Sequence, residues 1–306
     1  MSEVAAEIVI ESIINGLNEQ EEFVLGLATG NSPTGLYKHL AKSFNSGKID
    51  STKIRSFNLD EYIGLPGENP QQRMLHPESY CYFMIQEFFG LLDKKFIETS
   101  VPYGNLIDQK KLINELKTHP EDWKELGTNA GKSIVIKENS SSDYLQWIRK
   151  SLLEEYAHKI NDAGGIDLQI IGVGGRGHVA FHESGIPFKD SSLLLVKLDD
   201  NTVENAVVDG HFSSKEESPL YAISMGVELV YKAKKVMLLA NGERKVESIS
   251  KSLLNTPTPE IPISYGQIYS ENGGNLIYII DKIAGRKLLA NKKILKEKGF
   301  EMRLLI

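Results

Sequence analysis

The sequence predicts an α/β protein with a doubly wound, mostly parallel sheet and helices on both faces, Rossmann-like in its layering. Three observations predict it. Short apolar runs alternate with amphipathic helical patterns along the chain, the signature of repeated strand–helix units. The run "IDLQIIGVG" (166–174) is almost continuously apolar, as a strand buried on both faces must be. Several apolar runs end in glycine and then polar residues, the composition of strand ends where such sheets bind ligands.

In chain order, the opening twenty residues read as an amphipathic helix, with Val4, Ile8, Ile10, Ile13, Ile14 and Leu17 at helical spacing. "EFVLGLATG" (22–30) is a strand running into a glycine. "SPTGLYKHLAKSF" is a helix with Ser32 as N-cap and Pro33 in its first turn. "KIRSFNLDEY" (53–62) is a second strand ending in acids. Helices are expected over 78–92 and over 144–163, the latter stopped by Gly164-Gly165. After the strand at 166–174 come "KVMLLANG" (235–242), again a strand ending in glycine, the helix "ERKVESISKSLL" and a last strand, "NLIYIID" (275–281). Residues 104–143 are polar and irregular. They read as a surface insertion within a single domain spanning 1–306.

The chain has 306 residues, 41% of them hydrophobic and 25% charged, enough for a substantial core. A net charge of −6 with dispersed basic residues argues against a nucleic-acid partner, which needs a basic face. The one cysteine, Cys81, excludes an internal disulfide and a cysteine-rich metal site; in "SYCYFMIQEFF" it reads as a small core residue. The first twenty residues carry acids rather than the basic segment of a signal peptide. No run approaches the roughly 20 apolar residues that span a bilayer. A cytoplasmic enzyme with no membrane partner is the expectation.

Four segments carry chemistry. Thr29, Gly30, Asn31, Ser32 and Thr34 lie where a strand turns into a helix, whose unpaired N–H groups and dipole favour an anion. No Gly-Lys-Ser/Thr follows, so this is not a Walker loop, and an ordinary capped turn is the alternative. Asp60 and Glu61 directly follow a strand; successive residues point oppositely, so one of the two faces a site more easily than the other. The third segment contains Gly172-x-Gly174-x-x-Gly177, the spacing of a dinucleotide loop. A dinucleotide loop needs a helix directly after it, and Gly185 and Pro187 break "HVAFHESGIPF" too soon. No nucleotide cofactor is therefore expected. The glycines instead bring backbone N–H groups, Gly174 among them, close to a small substrate, and His178 is a candidate acid/base. His182 and Glu183 follow, but the broken segment does not hold the geometry of a metal pair, and no metal is expected. Fourth, Lys245 starts a helix, where acids are commoner; contact with a bound phosphate would explain it, and solvation is the alternative.

In order and spacing, "TGNSPTGLYKHL", "SFNLDEYIGLP", "HPESYCYFM", "GVGGRGHVAFHES" and "PLYAISMGVELV" resemble the glucosamine-6-phosphate deaminases, whose wider superfamily includes the 6-phosphogluconolactonases. The similarity covers most of the chain outside 104–143 and "ENPQQRML"; "DEYIGLP" with "HPESY" leans toward the deaminases. The resemblance implies a phosphorylated sugar substrate and aldose–ketose isomerisation with loss of ammonia, run by acid/base groups without a redox or metal cofactor. It assigns Asp60 as the enolising base, His178 as the group assisting ring opening and Glu183 as its supporting carboxylate. It also assigns Lys245 and the loop from Thr29 to Thr34 as phosphate contacts. The family includes monomers and hexamers, so a homo-oligomer is compatible with it.

The chain departs from this pattern. Arg176 stands where the family usually has an aspartate, His182-Glu183-Ser184 stands for Asn-Glu-Pro, and a further phosphate-binding arginine has no counterpart near "TVENAVVDGHF". A carboxylate stabilises a nearby imidazolium and a guanidinium disfavours it. Charges about 4 Å apart at an effective dielectric near 20 interact by about 4 kcal/mol. Three arrangements fit Arg176: solvated and pointing away, paired with Glu183, or binding an anionic or differently configured substrate group. The leading expectation is a hexosamine-6-phosphate isomerase/deaminase whose substrate need not be glucosamine 6-phosphate. The alternatives are a 6-phosphogluconolactonase-like hydrolase and a non-catalytic sugar-phosphate-binding protein.

Overall fold

The structure is a computed structural model that describes residues 1–304. The chain runs α1 (Ser2–Glu19), β1 (Phe23–Leu27), α2 (Asn31–Asn45), β2 (Ile54–Asn58), β3 (Asp60–Ile63), α3 (Pro70–Met74), α4 (Tyr80–Glu87), β4 (Glu98–Ser100), α5 (Gln109–Thr118), β5 (Trp123–Leu126), β6 (Lys132–Ile136), α6 (Asp143–Trp147), α7 (Glu155–Asp162) and β7 (Leu168–Ile171). It continues through β8 (Leu193–Lys197), α8 (Asp200–Val208), β9 (Tyr221–Met225), α9 (Val227–Val230), β10 (Lys235–Ala240), α10 (Val246–Leu254), α11 (Tyr265–Glu271), β11 (Asn275–Ile280), α12 (Arg286–Ala290) and α13 (Lys292–Glu297).

Six strands form a parallel sheet in the order β11-β10-β7-β1-β2-β4. The order reverses between β1 and β7, so a crevice opens at their carboxyl ends; this is where doubly wound sheets bind ligands. The strand interiors explain the continuous apolar runs: β1 and β7 are buried at every position. Tyr37 of α2 is buried and its hydroxyl both donates to the Ala28 carbonyl and accepts from the Ala28 N–H, fastening the turn after β1 to the helix that follows. Tyr156 of α7 donates to the carbonyls of Asn58 and Ser100, tying that helix to the ends of β2 and β4.

A second, antiparallel sheet, ordered β3-β9-β8-β6-β5, extends the fold beyond the sequence expectation. The single acid-tipped strand read over 53–62 is two strands: β2 ends at Asn58 in the parallel sheet and β3 begins at Asp60 in the other. Alternation along β8 separates two layers. Leu195 joins Ile63, Leu112, Ile134 and Leu152 on one face, whereas Leu194 and Val196 join Tyr62, Phe181, Val203 and Phe212 on the other. Residues 104–143, read as a polar insertion, contribute α5 and the β5–β6 hairpin, with Leu112, Leu116, Ile134 and Ile136 buried. Their apolar positions are few and interrupted by charge, which hid the hairpin. The helix expected over 144–163 is present as α6, a π-helical stretch (Ile148–Glu154) and α7, ended by Gly164 and Gly165 at φ +85° and +82°. No helix among the described residues is long and apolar enough to cross a membrane.

The two sheets meet at Glu61. Its fully buried carboxylate accepts from five donors: the N–H groups of Tyr62 (2.9 Å), Tyr80 (3.1 Å) and Cys81 (3.0 Å), the Ser79 hydroxyl (2.8 Å) and the Asn105 amide (2.9 Å). Burial pushes its pKa up, while the hydrogen bonds from Cys81, Tyr80, Ser79 and Tyr62 oppose the shift. One carboxylate thus satisfies two orphan N–H groups at the start of α4 and holds that helix and the segment around Asn105 against β3. Oε1 faces two donors and Oε2 three, so neither oxygen can become an amide NH2 without opposing donors. Glu61→Gln is therefore expected to destabilise the protein by about 2–4 kcal/mol, from buried donors left without an acceptor. Urea unfolding of the two proteins checks this; an unchanged midpoint contradicts it.

Candidate active site

Four ends of the parallel strands line one cavity of about 710 Å³. Thr29, Gly30, Asn31 and Ser32 come from the turn after β1, Asp60 from the crossing between β2 and β3, Gly172 to Gly175 and His178 from the loop after β7, and Asn241 to Lys245 from the turn after β10. The aromatic wall is Tyr62, Tyr80, Phe83 and Phe181, with the rings of Tyr80 and Phe181 stacked at 5.8 Å. Thr202, Asn205 and Ala206 of α8, with Asp209 and His211 just after it, close another side.

In the turn after β1, the helix begins at Asn31 rather than after Ser32, with Gly30 as the capping residue at φ +97°. A β-carbon is disfavoured in that left-handed conformation, so glycine suits the turn. Ser32 is not the expected cap. Its hydroxyl instead donates to Asn241 Oδ1 (3.0 Å), linking the turns after β1 and β10. Thr34, expected among the ligand contacts, lies outside the cavity lining and its hydroxyl donates to the Gly30 carbonyl one helical turn back (3.2 Å).

Of the adjacent acids, Asp60 faces the cavity and Glu61 faces the protein, as strand alternation requires. Asp60 is 5% exposed and its carboxylate accepts no hydrogen bond from the described side chains and backbone. Burial, with the Glu61 charge adding to it, raises its carboxyl well above the ordinary carboxylate range. A carboxylate so placed is a strong base aimed at whatever enters.

His178 is held by three features of its loop. Gly174 N–H donates to the His178 carbonyl (2.9 Å) and Gly177 N–H donates to the Gly174 carbonyl (3.0 Å), closing a tight turn in which Gly177 has φ +83°. The imidazole lies directly on Gly174: a β-carbon there would sit 1.8 Å from Nε2. On the other side of the ring, Nδ1 is 3.4 Å from Oε2 of Glu183, which is buried and whose Oε1 accepts from the Asp199 N–H (3.3 Å). A carboxylate at Nδ1 selects the tautomer with the proton on Nδ1, leaving Nε2 as the acceptor. Gly174 lines the cavity, but its N–H is used within the loop and is not free for a ligand; its function is to make room for the ring.

Arg176, expected as a substrate contact, does not line this cavity. Its guanidinium reaches both carboxylate oxygens of Asp199 at 3.3 Å and borders a neighbouring cleft with Asn129, Ser184 and Glu260. It is not paired with Glu183. The physical reason is Asp199, a buried carboxylate that also accepts from the N–H groups of Gly131 and Asn201 and needs a counter-charge. The arginine therefore supports the segment whose amide holds Glu183. His182 is fully buried, accepting from the Val227 N–H at Nδ1 and pairing with the Ile186 carbonyl at Nε2. Burial lowers its pKa to about 4, so it is a neutral structural residue. No group of three or more metal-ligating side chains exists among the described residues.

Lys245 lines the cavity, forms no ion pair among the described residues, and has its pKa lowered by burial and by Arg244 beside it. Sequence reasoning placed Gly242 to Lys245 at a strand end but gave Arg244 no role of its own, and it missed Asn241, the residue before Gly242. It also missed Asp199, 23 residues from Arg176, for which no local signal exists.

No protein-family model matches the chain. A glucosamine-6-phosphate deaminase of Clostridium acetobutylicum is 34% identical over 288 residues, covering 94% of this chain and 95% of that one. Another, of Clostridium botulinum, is 35% identical over 288 residues, with 94% of each chain covered. The chain belongs to the glucosamine-6-phosphate deaminase family. Among solved structures, a monomeric glucosamine-6-phosphate deaminase superposes with a TM-score of 0.68 at 26% identity, covering 94% of this chain and 95% of that one. A 6-phosphogluconolactonase of Thermotoga maritima gives 0.58 at 16% identity over 92% and 95%, which shows a common fold. In this chain an arginine, two residues before the cavity histidine, pairs with Asp199.

Gly174→Ala is expected to displace the His178 ring and lower kcat by about 10²-fold or more, with little loss of ligand binding. Steady-state kinetics with a separate binding titration checks it. For His182, the folded pKa of about 4 lies below the ordinary 6.5. The unfolded chain takes the proton first as pH falls, so stability is lost between pH 6.5 and about 4, by on the order of 3 kcal/mol at 1.36 kcal/mol per unit. His182→Gln can keep both hydrogen bonds, and its unfolding midpoint should vary less steeply with pH across that window.

Proposed function

We propose that this protein is a hexosamine-6-phosphate deaminase of the isomerising type. The observation that carries the proposal is a single cavity bounded by Asp60, by His178 and by the two turns that contain Ser32 and Lys245. A phosphate fits the Ser32–Lys245 end. There α2 presents its N-terminal N–H groups and Lys245 supplies a cation without a counter-ion among the described residues. The sugar chain then extends toward the carboxylate and the imidazole.

In this reading His178, through Nε2, takes the proton from the O1 hydroxyl and returns one to the ring oxygen, opening the pyranose to its aldehyde. Glu183 at Nδ1 stabilises the imidazolium formed on the way. Asp60 removes the C2 proton, the electrons pass onto the C1 carbonyl oxygen, which takes a proton from water, and the enolamine forms. The same carboxyl group returns the proton to C1. The resulting C2 iminium takes up water and releases ammonia, leaving the 2-ketose 6-phosphate. The raised pKa of Asp60 suits it to this task, because a stronger base abstracts a weakly acidic C–H proton more readily.

The test is turnover. Incubation with glucosamine 6-phosphate, galactosamine 6-phosphate and mannosamine 6-phosphate should yield ammonia and ketose 6-phosphate in equal amounts from at least one. No product from any of them rejects the proposal. Asp60→Asn should lower kcat by about 10²–10⁴-fold. The same substitution should alter stability in a definite direction. Above the ordinary carboxylate pKa of 3.8 and up to its raised folded value, Asp60 keeps a proton that the unfolded chain releases, so stability falls as pH rises through that window. Asp60→Asn removes that slope, and chemical unfolding near neutral pH should show the inactive variant to be the more stable protein.

A further inference from the structure

We propose that Arg244 is a second phosphate ligand, held in reserve by Asp209, and that a phosphomonoester and the Asp209 carboxylate compete for its guanidinium. The inference rests on the sugar-phosphate reading above and adds a residue to it. Arg244 and Lys245 are consecutive, follow the same strand end, and line the same cavity as Gly30, Asn31 and Ser32. Gly242, at φ +83° with open space around it, turns the chain so that both cations follow on one short 3-10 turn, Glu243–Lys245. Asn241, one residue before that glycine, accepts the Ser32 hydroxyl, which draws this cationic turn toward the helix start after β1.

The charges at this end of the cavity do not balance internally. Lys245 has no acid within ion-pairing distance among the described residues, and Arg244 has one, Asp209, with Nη1 2.9 Å from Oδ1. That pair is solvent-exposed, 71% on the arginine side and 38% on the aspartate side, so it is weak and exchangeable. Asp209 follows directly after α8 and also lines the cavity, so the arginine is tethered across the opening rather than buried in a core contact. A phosphate dianion between Ser32 and Lys245 offers the guanidinium two oxygens and a higher charge than one carboxylate, the geometry for which arginine is suited. The ligand gains a second cation, Arg244 exchanges one exposed acceptor for one inside a walled cavity, and Asp209 returns to water.

The probe is inorganic phosphate, titrated into the full-length protein and followed by phosphorus NMR. Arg244→Gln should weaken phosphate about tenfold, the worth of one charge-assisted contact. Asp209→Asn, which removes the competitor and keeps the size, should tighten it several-fold. In the Arg244→Gln background Asp209→Asn should tighten phosphate markedly less, because the exchange acts through the guanidinium and only the general field of Asp209, which Lys245 also feels, remains. Equal tightening by Asp209→Asn in both backgrounds overturns the exchange, since the effect is then general charge removal. Lys245→Met separates this inference from the reading beneath it. If Lys245→Met weakens phosphate and Arg244→Gln does not, Arg244 is no ligand while the phosphate site stands. If neither substitution changes phosphate affinity, both fall. Thermal denaturation of each variant without phosphate confirms that a lost affinity is not a lost fold.

Discussion

The site depends on the hydrogen-bond saturation of one buried carboxylate, Glu61. Five donors converge on it from β3, from the start of α4 and from Asn105, and all of them require an acceptor. Strand alternation then leaves no choice for its neighbour: with Glu61 turned inward, Asp60 must face the cavity. The catalytic candidate is oriented by the residue beside it rather than by contacts of its own. This arrangement keeps the Asp60 oxygens free of donors, which is what a base needs and what an isolated buried carboxylate resists. Glu61 does not relieve the cost of burying Asp60, because its charge adds to it, so that cost falls on the stability of the fold.

His178 follows the same logic of indirect support. The ring is confined between the bare α-carbon of Gly174 and the Glu183 carboxylate, and Glu183 in turn leans on the Asp199 amide. Asp199 caps α8 and is neutralised by Arg176. The arginine that looked disruptive in the sequence therefore stands three contacts away from the imidazole, with two acidic residues, Asp199 and Glu183, between. Its positive charge is spent on Asp199, so the repulsion expected from placing a guanidinium beside an imidazolium is largely cancelled where it would matter.

The parallel sheet and the polar strand ends that line the cavity were legible because both rest on local composition: continuous apolar runs for β1 and β7, and glycine with polar residues after them. The division of labour between Asp60 and Glu61 was legible as an alternation, though not which acid would turn inward, since that is decided by donors 18 to 44 residues away. The second sheet was not legible. Apart from the β5–β6 hairpin, its strands pair antiparallel across separations of more than 20 residues, and one of them, β3, continues a parallel strand after a single residue. No periodicity marks a change of sheet. The roles of Gly174 and Arg176 were misread for a related reason: each depends on a partner, the His178 ring or the Asp199 carboxylate, that only the folded chain brings near.

The same distinction separates what the family pattern implies here from what this chain adds. Asp60, His178 and Lys245 follow strand ends, positions set by the sheet, and line one cavity. The departures lie in loops. Arg176 is absorbed by Asp199, and Ser184 donates to the Glu260 carbonyl while Asn129 donates to Ser184 and Glu260, a polar network on the far side of Glu183. A scaffold that fixes its reacting groups at strand ends can exchange the loop contacts behind them, provided that each new charge finds a partner nearby. Arg176 meets that condition through a buried carboxylate, whereas Lys245 meets it with none among the described residues. That difference separates a charge held by the structure from a charge that the proposed phosphate would balance.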